Sequence, residues 1–277
     1  FLGKFDGVLL VSDYDDTLYN HKLEVSEENR AAIESFIAQG GTFTVATGRA
    51  KATFQPQIAR ERLTLNAPVV LSNGSAIYDF SADKLLYQSY LPMEAAEHMT
   101  QVCQAFPDLA FESYHQGDVY VHNPNLVTMK HLERVKVPYT LCQTIDEMPL
   151  PWTKLILEHD HALLSDVQRM FLERWGDQYE AIFSNRYLLE ITAKGNTKGT
   201  LVKRVADQLG IAPDHIYCIG DNQNDLSMLA LSAIPFAPAN CAPEVRDWGA
   251  RIVHHCDDSA VAQVIGILDD IYSKKTG

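Results

Sequence analysis

The sequence predicts an α/β fold: a doubly wound, Rossmann-like parallel sheet core with an inserted α+β cap domain. Three observations point to it. Short apolar runs alternate with helix-patterned segments near both ends of the chain, several of these runs stop at a polar residue suited to chemistry, and the texture changes between residues 84 and 188. Alternating strands and helices argue for a parallel sheet covered on both faces. A block of mixed strands and helices set inside such a chain argues for a separate module. The expected division is residues 1–83 and 189–277 for the core and 84–188 for the insertion.

The first strand is the run Val8-Leu9-Leu10-Val11, which leads directly into Ser12-Asp13-Tyr14-Asp15-Asp16-Thr17-Leu18. Ser26 then reads as the N-cap of a helix whose apolar face carries Ala32, Ile33, Phe36 and Ile37 and which stops at Gly40-Gly41. A second strand, residues 42–46, ends at Thr47-Gly48-Arg49, and the apolar run 68–71 ends at Ser72-Asn73-Gly74. In the insertion, residues 109–113, 118–122, 153–158 and 187–191 carry strand patterns, while 95–106 and 165–175 have helix-spaced apolar residues. Thr197 reads as the N-cap of a helix with Leu201, Val202, Val205, Ala206 and Leu209 on its apolar face. The last strands, residues 216–219 and 234–237, end at Gly220-Asp221 and Pro238-Ala239-Asn240.

Ligands of open α/β sheets bind outside the carboxyl ends of the strands. Asp13, Thr47, Asn73 and Asp221 each follow a predicted strand, so segments more than two hundred residues apart are expected to converge on one pocket. By itself the aspartate cluster at 13, 15 and 16 reads equally well as a solvated turn. Crowded carboxylates cost repulsion and desolvation unless a cation or a reaction uses them.

With 23 basic and 36 acidic side chains, the chain has a formal net charge of −13, which opposes binding to nucleic acid or an anionic membrane surface. Five scattered cysteines without paired metal spacing suit a reducing, cytoplasmic setting. No apolar run approaches the ~20 residues of a membrane span, and no signal peptide is visible. The composition sets no oligomeric state.

Phosphoryl transfer from a monoester needs an in-line nucleophile, charge neutralisation around the phosphoryl oxygens, and a proton for the departing alcohol. Asp13 is placed to attack phosphorus, and Asp15 to protonate the leaving group and later deprotonate water. Lys198, in a first helical turn where a cation opposes the helix dipole, is suited to meeting phosphate. Thr47 and the amides near Gly48 supply neutral donors. Asp221 and Asp225 bring further carboxylates to the same edge. An all-oxygen donor set without a His or Cys pair points to a hard ion, with Mg²⁺ the expected cofactor.

Together these motifs resemble the haloacid dehalogenase superfamily of phosphotransferases, in particular the Cof-like branch with a large α+β cap. The resemblance covers nearly the whole chain and rests on four motifs in order: Asp13-Tyr14-Asp15-Asp16-Thr17-Leu18, Thr47-Gly48-Arg49, Lys198 within Lys194-Gly195-Asn196-Thr197-Lys198-Gly199, and Gly220-Asp221 through Asn224-Asp225. It implies that Asp13 and Asp221 bind the metal through carboxylates and Asp15 through its backbone carbonyl. It also implies that Asp225 stands behind them, and that Thr47, Gly48, Lys198 and Asn224 hold phosphate. Family members commonly carry Met-Gly before an Asn-Ala step, where this chain reads Ala237-Pro238-Ala239-Asn240-Cys241-Ala242.

The expected activity is hydrolysis of small phosphate esters, with sugar phosphates the leading class by resemblance, through an aspartyl-phosphate intermediate. Asp at position 15, where ion-transporting relatives carry Thr, favours esters whose leaving group needs a proton. A hexose phosphomutase and a non-catalytic phospho-metabolite binder are the competing readings. Within the insertion, His115, Gln116, His122, Arg186 and Tyr187 are polar candidates for substrate contact.

Overall fold

The computed structural model describes residues 2–275, so residue 1 and residues 276–277, at the two ends of the expected core range, lie outside it. The central sheet is parallel, in the order Arg251–Ile252, Pro235–Ala237, Ile216–Ile219, Leu9–Ser12, Thr42–Val45. A bridge from Ala46 to Val70 extends its edge toward Val69–Leu71. Leu9–Ser12 lies in the middle and is buried along its whole length. Its side chains alternate between two cores. Leu9 and Val11 pack with Leu201, Val202 and Val205, while Leu10 packs with Phe36, Phe43, Val261 and Leu268. A strand covered on both faces has to be apolar throughout, which is why this one reads as a continuous run. Each such buried side chain contributes about 1.5–3 kcal/mol.

The helix caps lie where their residues predict. Ser26 Oγ accepts the Asn29 amide ahead of Glu27–Ala38. Thr197 accepts the Thr200 amide, and the Thr200 hydroxyl completes a capping box at the start of Lys198–Gln208.

The inserted segment forms a second sheet in the order Tyr179–Asn185, Leu188–Ala193, Lys154–Glu158, Ala110–His115, Asp118–His122, Tyr139–Cys142. One face packs on Ala95–Ala105 and His161–Trp175 through a core containing Trp152, Phe111 and Phe171. The other face carries Leu126–Val135 and is turned toward the end of the central sheet. Period-two alternation sends Leu155 and Leu157 into the first core and leaves Lys154, Ile156 and Glu158 on the opposite face.

The sheets change over at different residues from those expected. Lys84–Gln88 pairs with Ala76–Asp79 in a three-stranded sheet with Val69–Leu71, and so stays with the core side. Leu188–Ala193 belongs wholly to the inserted sheet, because it pairs with Lys154–Glu158 and Tyr179–Asn185. Boundaries at 84 and 188 therefore cut through the sequence at a change of composition rather than at a change of sheet. No helix among the described residues is long and apolar enough to cross a membrane.

Candidate active site

The carboxyl ends of the central strands bring the expected residues together. Asp13 follows Leu9–Ser12, and its amide donates to the Ile219 carbonyl at 2.9 Å. Asp13 Oδ1 accepts from Lys198 Nζ at 2.7 Å, and the same ammonium donates to Asp225 Oδ1 at 2.7 Å. Lys198 has no exposed side-chain surface. Burial disfavours its charge, but Asp13 and Asp225 outweigh that and raise its pKa, so it remains an ammonium. The dipole-opposing position seen in the sequence is thus a buried bridge between two carboxylates.

Asp225 is fully engaged: its other oxygen accepts the amides of Asp221 and Asn222 at 2.8 and 3.1 Å. Gly220 makes that turn possible, since a Cβ there would lie 2.4 Å from Asp225 Cβ. Thr17 Oγ1 stands 3.2 Å from both Asp13 Oδ2 and Asp221 Oδ1 and ties the two carboxylates together. Burial, then Asp225, push Asp13 up to about 6 against the pull of Lys198. Burial, then Asp13, push Asp221 well above the usual carboxylate range.

Asp13, Asp221 and Asp225 each offer an oxygen, all within 4.8 Å of one another. Hard, oxygen-only donors whose ionisation is opposed by burial and mutual repulsion fit a divalent cation. Because Lys198 and two amides already occupy Asp225, Asp13 and Asp221 are the better-placed ligands of the three.

Asp15 sits in a different environment. Arg49 grips it with Nε to Oδ2 at 2.8 Å and Nη2 to Oδ1 at 2.9 Å, and Arg134 of the insertion adds a contact at 3.3 Å. Burial works against its charge, but the Arg49 hydrogen bonds prevail and hold its pKa below the usual value. Thr47 is buried, with its hydroxyl accepting the Arg49 amide at 3.0 Å. Asn224 Nδ2 donates to Asn73 Oδ1 at 3.0 Å, joining the last motif to the Ser72–Gly74 turn. Asn240, despite the neighbouring proline, reaches back to the loop after the first strand: its Nδ2 donates to the Asp16 carbonyl and its Oδ1 accepts the Cys256 amide, both at 2.9 Å. Asp16 has a φ of 60° and pairs with Arg134 at 3.3 Å.

The inserted sheet closes over this floor. Lys154 Nζ donates to the Gly48 carbonyl, lies 3.5 Å from Glu190 and sits 4.6 Å from the centre of the Tyr114 ring. A Cβ on Gly48 would meet Glu190 Oε1 at 2.6 Å, so glycine permits this approach. A cavity of about 90 Å³ remains between Asp13 and the insertion, with Arg49, Tyr114, Arg134, Lys154 and Glu190 in its wall.

These roof residues differ from the polar candidates read from the sequence. His115 bonds the Pro151 carbonyl at 2.8 Å, and His122 faces the Cys142 carbonyl at 3.3 Å. Gln116 occupies a hairpin turn with φ of 50°. Arg186 and Tyr187 line neighbouring clefts rather than the cavity over Asp13. The overlooked signal was a charged residue inside an otherwise apolar strand: Lys154, Glu190 and Glu112 all interrupt such runs and all end up buried.

Strand order, an inserted second sheet and a lysine-bridged aspartate cluster define a doubly wound α/β protein with an acidic site at the carboxyl ends of its strands. The chain matches the model of the haloacid dehalogenase-like hydrolases over residues 10–265, and it belongs to that family. Within it the chain is a Cof-like phosphatase. It is 26% identical over 296 residues to the 5-amino-6-(5-phospho-D-ribitylamino)uracil phosphatase YwtE of Bacillus subtilis, covering 92% of this chain and 96% of that protein. It is 25% identical over 269 residues to the chloroplastic endoribonuclease YBEY of Arabidopsis thaliana, covering 93% of this chain but only 44% of that longer protein. A solved sugar phosphatase of HAD subclass IIB shares the fold with a TM-score of 0.82 at 20% identity, covering 95% of this chain and 99% of that one.

Proposed function

We propose that this chain is a Mg²⁺-dependent phosphatase of small phosphorylated metabolites, with sugar phosphates the leading class, acting through an aspartyl phosphate on Asp13. The observation that carries the reading is the convergence of Asp13, Lys198 and Asp221 beneath a closed polar roof. In the first half-reaction an Asp13 oxygen bonds to phosphorus, the bond to the ester oxygen breaks, and Asp15 gives that oxygen its proton. In the second, water attacks phosphorus, Asp15 takes a water proton, and the bond to Asp13 breaks to release inorganic phosphate. A pKa of about 6 leaves Asp13 largely ionised at neutral pH, as a nucleophile requires.

Arg49 holds Asp15 as a carboxylate in this closed state, which is the form that accepts the water proton. Donation to the ester oxygen requires Asp15 to leave that clamp. Lys198, Thr47, Gly48 and Asn224 are the proposed phosphate partners. When bound, Mg²⁺ would supply positive charge against the phosphoryl oxygens and offset the repulsion of Asp13 and Asp221. Ligand pockets commonly measure about 300–1,000 Å³, so the insertion is expected to open before an ester enters the present cavity.

The sugar-phosphatase and ribitylaminouracil-phosphatase names borne by similar proteins support a small polyhydroxylated substrate. The test is phosphate release from a broad metabolite panel with Mg²⁺, with chelated protein and Asp13→Asn as inactive controls whose fold is checked by circular dichroism. Release by Asp13→Asn at the unaltered rate, or full activity in chelator, overturns the reading. Isomer formation from hexose phosphates without release would make the protein a mutase instead.

A further inference from the structure

We propose that His21, His255, Cys256 and Asp257 form a binding site for a thiophilic divalent cation of the zinc class, separate from the aspartate cluster around Asp13. Each of the four offers one donor atom, and these atoms all lie within 4.8 Å of one another. Two imidazoles, a thiol and a carboxylate are the donors that tetrahedral zinc sites use, whereas Mg²⁺ takes oxygen alone.

The spacing is informative. Asp257 Oδ2 stands 3.6 Å from His21 Nδ1 and 3.7 Å from His255 Nδ1. Cys256 Sγ stands 3.8 Å from His255 Nδ1 and 3.7 Å from Asp257 Oδ1. The nitrogen–oxygen pairs are too far apart for hydrogen bonds, which run about 2.7–3.2 Å. Metal bonds of 2.0–2.3 Å at tetrahedral angles place donors about 3.3–3.6 Å apart. These pairs lie close to that spacing, and the full set of four donors lies within 4.8 Å, so drawing them in by up to about an ångström forms a coordination shell.

The site is also held in place and reachable. Asp257 Oδ1 accepts the His21 amide at 2.9 Å, which joins the loop after the first strand to the segment 255–257. His255 Nδ1 accepts the Asp257 amide at 3.0 Å, so that ring binds through Nδ1 by giving up this bond, or through Nε2 by turning. His21 is half exposed, and its nitrogens come no nearer than 3.6 Å to the carboxylates of Asp16 and Asp257. Coordination displaces the Cys256 proton to solvent. The resulting thiolate and the Asp257 carboxylate balance a divalent cation, so occupancy leaves the cluster neutral. Through the Asn240 bridge from the Cys256 amide to the Asp16 carbonyl, the cation would brace the turn that follows Asp13.

Cobalt(II) added to the full-length, chelator-stripped protein in the presence of excess Mg²⁺ tests the assignment. One equivalent should produce thiolate-to-cobalt charge-transfer absorption in the near ultraviolet together with tetrahedral d–d bands, and zinc should bleach both. Cys256→Ser should abolish the charge-transfer band, and His21→Gln and His255→Gln should each weaken cobalt binding by at least about tenfold. His21 is exposed enough that its variant reports on binding even if Cys256→Ser folds poorly. The spectrum should survive in Asp13→Asn, because the two sites share no ligand. Absence of a charge-transfer band at saturating cobalt, its persistence in folded Cys256→Ser, or unchanged affinity in both histidine variants overturns the proposal. None of these outcomes depends on phosphatase activity.

Discussion

Replacing Lys198 with methionine isolates the interaction on which the aspartate cluster depends. The ammonium is fully buried and lies 2.7 Å from oxygens of both Asp13 and Asp225. At an effective dielectric constant near 20, each contact at that distance is worth about 6 kcal/mol of attraction. Much of that is offset by the cost of removing three charges from water. Deleting the cation leaves the offsetting cost without the attraction, and breaking a buried pair in this way typically costs about 3–5 kcal/mol. Equilibrium urea unfolding in chelator should show Lys198→Met destabilised by about that amount. Because the loss arises from stranded carboxylates, Lys198→Met/Asp225→Asn should be more stable than Lys198→Met alone: a carboxamide oxygen at position 225 can still accept the amides of Asp221 and Asn222, and one charge is gone. A loss under about 1 kcal/mol, or equal stability of the single and double variants, would refute the reasoning.

Further outcomes follow from single contacts. Gly74 has a φ of 102°, and a Cβ there would lie 2.4 Å from the Thr197 carbonyl carbon. Gly74→Ala should therefore cost at least about 2 kcal/mol in urea unfolding and reduce turnover by displacing Lys198; unchanged stability would show that the contact relaxes freely. Burial, then Glu112, hold Glu158 well above its ordinary value of 4.5, so the native state binds its proton more tightly than the unfolded chain does. The resulting stability is complete below about pH 4.5 and is lost as pH rises through the folded pKa, so Glu158→Gln should gain on the parent between pH 5 and 8; parallel melting temperatures across that range would contradict it. Asp15→Asn should slow alkyl phosphates by about 10²–10⁴ but slow an activated aryl ester less, because its alcohol departs without protonation; equal losses would remove Asp15 from proton transfer.

Much of the floor of the site was legible because each residue sits where a strand of fixed direction ends. Asp13, Thr47 and Asp221 needed only the strand–helix alternation to be placed at one edge. The roof was not legible in the same way. Lys154, Glu190 and Glu112 lie on different strands of the inserted sheet, and their meeting depends on register: Glu112 and Glu190 both stand beside Ile156, while Tyr114 stands beside Lys154. Apolar periodicity does not reveal which strands are neighbours. Leu126–Val135 was missed for a related reason, since its buried residues include Thr128 and Leu132 while Leu126 is exposed. Its apolar stripe is thin because its other side faces the polar cavity, and that same helix delivers His131 and Arg134 to the site.

The aspartates of the first motif show how placement divides one chemical group into different functions. Asp13 is raised by burial and a neighbouring carboxylate, and Lys198 pulls the other way; Asp15, two residues on, is held low by a bidentate arginine. Asp16 contributes its carbonyl to Asn240 and its carboxylate to Arg134. Arg134 therefore contacts two of the three from the insertion. Withdrawing the insertion removes one of the two guanidinium groups that hold Asp15 as a carboxylate, while Arg49 of the core remains. Losing Arg134 favours the proton on Asp15, whereas the accompanying exposure to water favours its charge, so the displacement acts on this carboxyl in two opposed ways.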